Sequence, residues 1–187
     1  MEGGCIDKYF YIFIIQEYMK ENYNIKLLTK EFCLENIEKI LEIIKLIPDV
    51  EYKKEDILAE KKGDRILYGK WEHSLVLLDE KNIVGVLIAY EREKEKDGLY
   101  NEPCFYINEV AISRKYKGKG LGKTLLQFFI EKTNKYSYLN GNIRIRIQTT
   151  NSEKNKKVIE LYKEVGFKKI GLKHYPLKED IVLEIIK

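Results

Sequence analysis

Lys117-Gly118-Lys119-Gly120-Leu121-Gly122-Lys123 sets three glycines and three lysines in seven residues. That composition suits the holding of an oxyanion. An apolar run, Phe105 to Ile112, precedes it, and an amphipathic run, Leu125 to Ile130, follows. Strand, basic turn and helix are therefore expected in succession. The first amides of a helix have no internal partner and carry roughly half an elementary positive charge. A phosphate satisfies both the donors and the field, and glycine lets the backbone approach it without a Cβ in the way. Three readings compete on the loop alone. A nucleotide P-loop requires glycine where Lys117 stands. A dinucleotide fingerprint requires Gly-x-Gly-x-x-Gly early in a βαβ unit, whereas the spacing here is Gly-x-Gly-x-Gly, late in the chain. A Gly/Lys surface turn with no ligand is the third.

A second segment adds weight to the anion reading. In Asn151 to Phe167, Asn151 or Ser152 can cap a helix. Val158, Leu161 and Val165 recur at helical spacing as a buried stripe, and Gly166 suits the stop. Asn155 and Tyr162, seven apart, share one face of that helix. Glu109 is a carboxylate inside the apolar strand before the loop, and strict alternation sets it on the side of Ile107 and Ala111.

These two segments, in this order, resemble the GNAT superfamily of N-acetyltransferases. Lys117-Gly118-Lys119-Gly120-Leu121-Gly122 fits that family's pyrophosphate loop, Arg/Gln-x-x-Gly-x-Gly/Ala, except that lysine occupies the first position. Lysine keeps the charge and loses the forked donor geometry. Asn155, Leu161, Tyr162, Gly166 and Phe167 match Asn-x-x-Ala-x-x-Leu-Tyr-x-x-x-Gly-Phe, with Val158 in place of the alanine. The resemblance implies an α/β fold, a mixed and mostly antiparallel twisted sheet with helices on both faces. It also implies acetyl-CoA as acyl donor without a metal, and direct attack by a primary amine in a ternary complex. Glu109 is then the expected base, acting through water, and Tyr162 the acid at the coenzyme sulfur. The loop from Lys117 through Gly118, Lys119, Gly120, Leu121 and Gly122 to Lys123 is expected to hold the pyrophosphate. Val110, Ala111 and Ile112 are expected to pair with the pantetheine arm, and Asn155 to hydrogen-bond the coenzyme. The alternative is an acyl-CoA-binding regulatory module without catalysis.

The elements that must position these groups can be read along the chain. Residues 1–24 form an N-terminal extension, with a helix expected near Phe10–Tyr18, and a single domain spans 25–187. Ile25 to Leu28 reads as a strand, Leu34 to Ile47 as one helix ended by Pro48, and Lys53 to Lys62 as a charged helix. Ser74 to Leu78 and Ile83 to Tyr90 read as a hairpin, and Glu91 to Gly98 as a solvated charged loop. A central strand is expected over Glu102–Ser113, a helix over Leu121–Tyr136, and a strand over Ile143–Ile147 that buries its isoleucines on one face. Ile170–Tyr175 and Ile181–Ile186 are expected to close the sheet as an antiparallel pair.

Composition bounds the rest. The 187 residues are 44% hydrophobic and 34% charged with a net charge of +4, the profile of a globular protein. Lysines far outnumber arginines and are nearly balanced by acids, unlike a dedicated nucleic-acid binder. The three cysteines, Cys5, Cys33 and Cys104, cannot form a complete disulfide framework, which fits a reducing cytoplasm. Cys104 is expected to be a small buried hydrophobe. His73 and His174 lack metal-ligand spacing. The apolar run Tyr9–Ile15 is shorter than the ~20 residues of a bilayer span, so no membrane partner is expected. The N-terminal extension leaves a homodimer open, and the identity of the amine is not encoded in any motif.

Overall fold

Leu75 to Leu78 and Ile83 to Ala89 are apolar at consecutive positions, the pattern of strands covered on both faces. In the computed structural model, which describes residues 23–48, 50–95, 98–136 and 142–187, they are β4 (Leu75–Asp79) and β5 (Asn82–Arg92). Glu80, in the tight turn between them, takes a φ of 52°, as two-residue hairpin turns demand. The other main strands are β1 (Tyr23–Leu27), β6 (Cys104–Ile112), β7 (Arg144–Thr150), β8 (Lys168–Tyr175) and β9 (Lys178–Ile186). Among the described residues they form a seven-stranded sheet ordered β1-β4-β5-β6-β7-β9-β8. All neighbours are antiparallel except β6 and β7. This is the mixed, mostly antiparallel sheet expected from the sequence. The helix expected near Phe10–Tyr18 lies outside the described residues.

Helices cover both faces. On one lie α1 (Lys30–Glu35), α2 (Ile37–Ile44) and α3 (Lys54–Leu58). Ile40, Ile43 and Ile44 pack there on Val76, Val86 and Ile88. A short helix, α4 (Lys70–His73), leads into β4. On the other face lie α5 (Leu121–Asn134) and α6 (Lys156–Val165). Leu125, Leu126 and Phe129 are fully buried against Leu87, Ile107 and Ile145, each side chain stabilising the fold by ~2 kcal/mol.

Several expectations need correction. The single helix over Leu34–Ile47 is two. Thr29 starts α1 by accepting from the Phe32 amide at 3.2 Å, and Asn36, at φ −119°, breaks the run while its Nδ2 donates to Phe32 O at 2.9 Å. Such a local side-chain bond competes with helix continuation. The charged helix over Lys53–Lys62 stops at Leu58, because Lys70 Nζ donates to Ile57 O (2.6 Å) and Ala59 O (2.5 Å). A hairpin follows, β2 (Lys61–Lys62) and β3 (Arg65–Ile66), turning at Gly63 with φ 61°. The stretch from Glu91 is not simply a solvated loop. β5 runs through Arg92, which is buried, paired with Glu95 at 2.5 Å and stacked 3.4 Å above the Tyr100 ring. In α6 the deeply buried residues are Ile159 and Tyr162, with Val158, Leu161 and Val165 half-buried at the margin. Ile143, Ile145 and Ile147 share one buried face as expected. The opposite face is covered too, and Arg146 is buried there with Glu184 at 2.6 Å.

Candidate active site

The basic loop has the geometry its composition predicts. Gly118 and Gly120 take φ values of 79° and 78°, a region open to glycine at little cost. Gly120 is the N-cap of α5, and the first bond of that helix runs from the Thr124 amide to Gly120 O at 3.1 Å. The Lys117 amide already donates to Arg114 O at 3.3 Å. Among the described residues, the amides from Gly118 through Lys123 have no backbone acceptor. The donor set left open for an anion therefore begins one residue later than the sequence suggested. A Cβ at Gly122 would stand 3.6 Å from Leu161 and 3.8 Å from Ile112, so the start of α5 is seated between β6 and α6. Two loop lysines have other partners. Lys123 reaches Glu164 at 3.6 Å and Lys119 lies 5.1 Å over the Tyr116 ring.

Beside the loop the sheet opens. β6 and β7 pair only through Phe105–Ile107 and Ile145–Ile147. Beyond Ile107 the strands have no ladder between them, so the side of Val110, Ala111 and Ile112 that faces β7 is unpaired while β5 holds the other side. A cleft of about 1140 Å³ runs through this gap, lined by the loop, Val110–Ile112, Thr150, Asn155 and Tyr162. Its size and mixed lining suit a small-molecule ligand.

A bulge sets the orientation of Glu109. β5 pairs Ile88 with Glu109 and Ala89 with Ile107, so Asn108 is an extra residue on β6. An inserted residue reverses the alternation beyond it. Ile107 thus joins the core under α5, while Ala111 joins the core under α2. Glu109 shares a side with Ala111 and not with Ile107, which corrects the expectation from strict alternation. Asn108 Nδ2 donates to Glu109 Oε1 at 2.8 Å. Burial pushes the Glu109 carboxyl up to about 7, against the smaller downward pulls of the Tyr52 hydroxyl and the Lys62 ammonium. A carboxyl titrating near neutrality is matched to accepting a proton at cellular pH.

Tyr162 comes from α6, on the opposite face of the sheet, and is 5% exposed. Its ring packs edge-on against Phe167, 6.0 Å between centroids. Burial, and then the negative field of Glu109, raise its phenol far above the ordinary value, which keeps it protonated. Among the described residues no side chain hydrogen-bonds its hydroxyl, whereas the buried Tyr100 hydroxyl donates to Gln148 Oε1 at 2.9 Å. Asn155 is also 5% exposed, and its Nδ2 donates to Thr150 O at 3.1 Å. No side chain caps this helix start: Ser152 makes no cap bond, and Asn151 instead donates to Glu179 Oε1 at 2.7 Å. Gly166, at φ 111°, ends α6 as expected.

Glu109 and Tyr162 thus face the same cleft from opposite sides of the sheet. Sequence reading did not single out Tyr52 or Asn108, the neighbours of Glu109. Tyr52 lies in the stretch after Pro48, which carries no motif, and Asn108 matters only through the bulge, which one strand alone does not reveal. Cys33 and Cys104 are buried free thiols, each raised to about 11 by burial, as a packing role requires. Among the described residues no group of three or more His, Cys, Asp or Glu could hold a metal ion. No described helix is long and apolar enough to cross a membrane.

Comparison with known proteins bears on the family and the fold. The family model described as "Acetyltransferase (GNAT) family" matches residues 37–167. Among solved structures, Ard1 from Thermoplasma volcanium superposes with a TM-score of 0.67 at 17% identity, covering 89% of this chain and 98% of the other. The ribosomal-protein-S18-alanine N-acetyltransferase from Escherichia coli gives 0.63 at 15%, covering 88% and 93%. Arabidopsis thaliana Naa50, in complex with the bisubstrate analogue CoA-Ac-MVNAL, gives 0.64 at 15%, covering 88% and 99%. At these identities the likeness is one of fold. Among curated proteins none matches the chain in sequence.

Proposed function

Because this chain belongs to the GNAT acetyltransferase family, we propose that it transfers an acetyl group from acetyl-CoA to a primary amine by direct attack in a ternary complex. The observation that carries this reading is the convergence of Glu109 and Tyr162 on the gap between β6 and β7, next to the open amides of Gly118–Lys123. Acetyl-CoA supplies an activated acetyl thioester when bound.

The residues of the chain fit that donor. The open amides and the N-terminal field of α5 receive the pyrophosphate. The unpaired side of Val110–Ile112 offers backbone groups to the pantetheine arm, much as a strand edge accepts a peptide. Asn155 closes the far side. These contacts direct the thioester to the gap between α6 and the sheet. Glu109, ionised, takes a proton from the incoming ammonium through water, so that the nitrogen presents a lone pair. As the C–N bond forms and the C–S bond breaks, Tyr162 gives its proton to the departing sulfur, and it takes back, by way of water, the second proton that the new amide nitrogen sheds. An unbonded, protonated phenol is suited to that task. We place the protein in the cytoplasm, where acetyl-CoA is present and its buried thiols stay reduced.

The test is an amine panel incubated with acetyl-CoA and read by release of free thiol. Amine-dependent thiol release is expected. Tight acetyl-CoA binding with no release across the panel would leave only the regulatory-module reading.

A further inference from the structure

The basic loop hangs between two fixed points, and one side chain ties it down between them. On one side the Ser113 amide donates to Val84 O at 2.8 Å, which continues the pairing of β6 with β5. On the other, α5 begins at Leu121. The backbone bonds between these points are local. The Tyr116 amide donates to Ser113 O at 2.9 Å and the Lys117 amide to Arg114 O at 3.3 Å. Neither reaches another element, but the Tyr116 hydroxyl does. It donates to Asp79 Oδ2 at 2.8 Å, and Asp79 is the last residue of β4. Among the described residues, this is the hydrogen bond that joins the stretch 114–120 to another element.

The surroundings hold the phenol in place. Tyr116 is half-buried and packs on the core beneath α5. Its ring stands edge-on to Tyr23, 6.3 Å between centroids, and Tyr23 is the β1 partner of Asp79. Lys119, inside the glycine run, lies 5.1 Å over the same ring. The ring therefore links the loop to the β1–β4 end of the sheet. It also lines the cleft, while its hydroxyl is engaged by Asp79.

Charge alone does not account for the pair. The Asp79 carboxylate repels a pyrophosphate, so on electrostatic grounds it weakens the site it borders. Order offsets that repulsion. Gly118 and Gly120 stand at positive φ, and glycine loses more backbone freedom on being fixed than any other residue. A loop fixed before its ligand arrives spares the complex that loss. A phenol donating to a carboxylate makes a charge-assisted bond, which is stronger than a neutral one.

Resting on the coenzyme site proposed above, we infer that Tyr116 is a positioning residue: by bonding Asp79 it holds the 117–123 loop in the form that receives the pyrophosphate.

The test is isothermal titration of coenzyme A into the full chain and its variants. Tyr116→Phe keeps the ring, and with it the contacts to Tyr23 and Lys119, and removes only the hydroxyl. Its Kd for coenzyme A should rise about fivefold or more. With any amine that is acetylated, the KM for acetyl-CoA should rise alike while kcat does not fall. Asp79→Asn and Asp79→Ala both remove the charge, but only asparagine leaves an oxygen for Tyr116. Comparing the two cancels the lost charge, and Asp79→Asn should bind coenzyme A about fivefold more tightly than Asp79→Ala. In the Tyr116→Phe background the two should bind alike, because the tether is already gone. A Tyr116→Phe protein with wild-type Kd would overturn the inference. A fall in Tm alone would do the same, since the bond would then be structural only. Equal Kd for Asp79→Asn and Asp79→Ala with Tyr116 present would overturn it as well. Each of these results leaves the transferase reading in place, whereas a wild-type protein that binds no coenzyme A would overturn that reading and this inference together.

Discussion

Glu109 sits where burial and its neighbours compete, and the balance leaves its carboxyl near neutrality. If it is the base, kcat/KM should rise with pH along a limb of apparent pKa about 7. In Glu109→Gln that limb should disappear and the rate at pH 7.5 should fall by ~10²–10⁴-fold, with acetyl-CoA affinity unchanged. A limb that persists belongs to the acceptor amine instead. The same shift links to stability. The folded-state pKa is raised above the unfolded one, so the native protein holds the extra proton between them. Stability therefore falls as pH climbs from about 4.5 to about 7. Glu109→Gln should be more stable than wild type above pH 7, by on the order of 1 kcal/mol after allowing for the open cleft. It should lose that advantage below pH 4.5, and urea titrations at the two pH values read this directly. Tyr162→Phe keeps the packing on Phe167 and removes only the hydroxyl. It should lower kcat by ~10–100-fold with little change in the KM for acetyl-CoA. An unchanged kcat would make Tyr162 a core aromatic and nothing more.

The elements impose the geometry on these side chains. Gly120 is held at φ 78° with open space where a Cβ would stand, so substitution there acts through backbone strain and through the anion site. Gly120→Asp should raise the Kd for coenzyme A by ~10-fold or more, because it combines a left-handed penalty of about 1–2 kcal/mol with negative charge at the helix start. Isothermal titration with coenzyme A measures it. Much of this arrangement was legible in the sequence: the strand–loop–helix order from 105 to 136, the stop at Gly166 and the hairpin at 74–90 all follow from local pattern. The orientation of Glu109 was not. It depends on the extra residue Asn108, which exists only relative to the register of β5. The buried Arg92 and Arg146 were also hidden, since their carboxylate and aromatic partners, Glu95, Tyr100 and Glu184, converge only in three dimensions. The short α3 escaped because Lys70, twelve residues beyond Leu58, supplies the donor that ends it.

The molecule as a whole divides its labour across the sheet. On the proposed reading, α5 and α6 hold the donor on one face, the α2–α3 region borders the acceptor on the other, and the two substrates meet where β6 and β7 separate. Net charge is only +4, so attraction for the coenzyme is local and screened by salt. The KM for acetyl-CoA should rise several-fold between roughly 0.02 M and 0.3 M salt, while kcat changes little. Acetyl-CoA at about 100 times its Kd should stabilise the protein by ~2.7 kcal/mol, a readily measured rise in Tm. The most direct measurement is a crystal structure of the protein with coenzyme A. The account predicts the pyrophosphate within hydrogen-bond distance of the amides of Gly118–Lys123, the pantetheine arm along Val110–Ile112, and the sulfur beside the Tyr162 hydroxyl. Coenzyme bound outside that gap, or with its sulfur remote from both Tyr162 and Glu109, would contradict it.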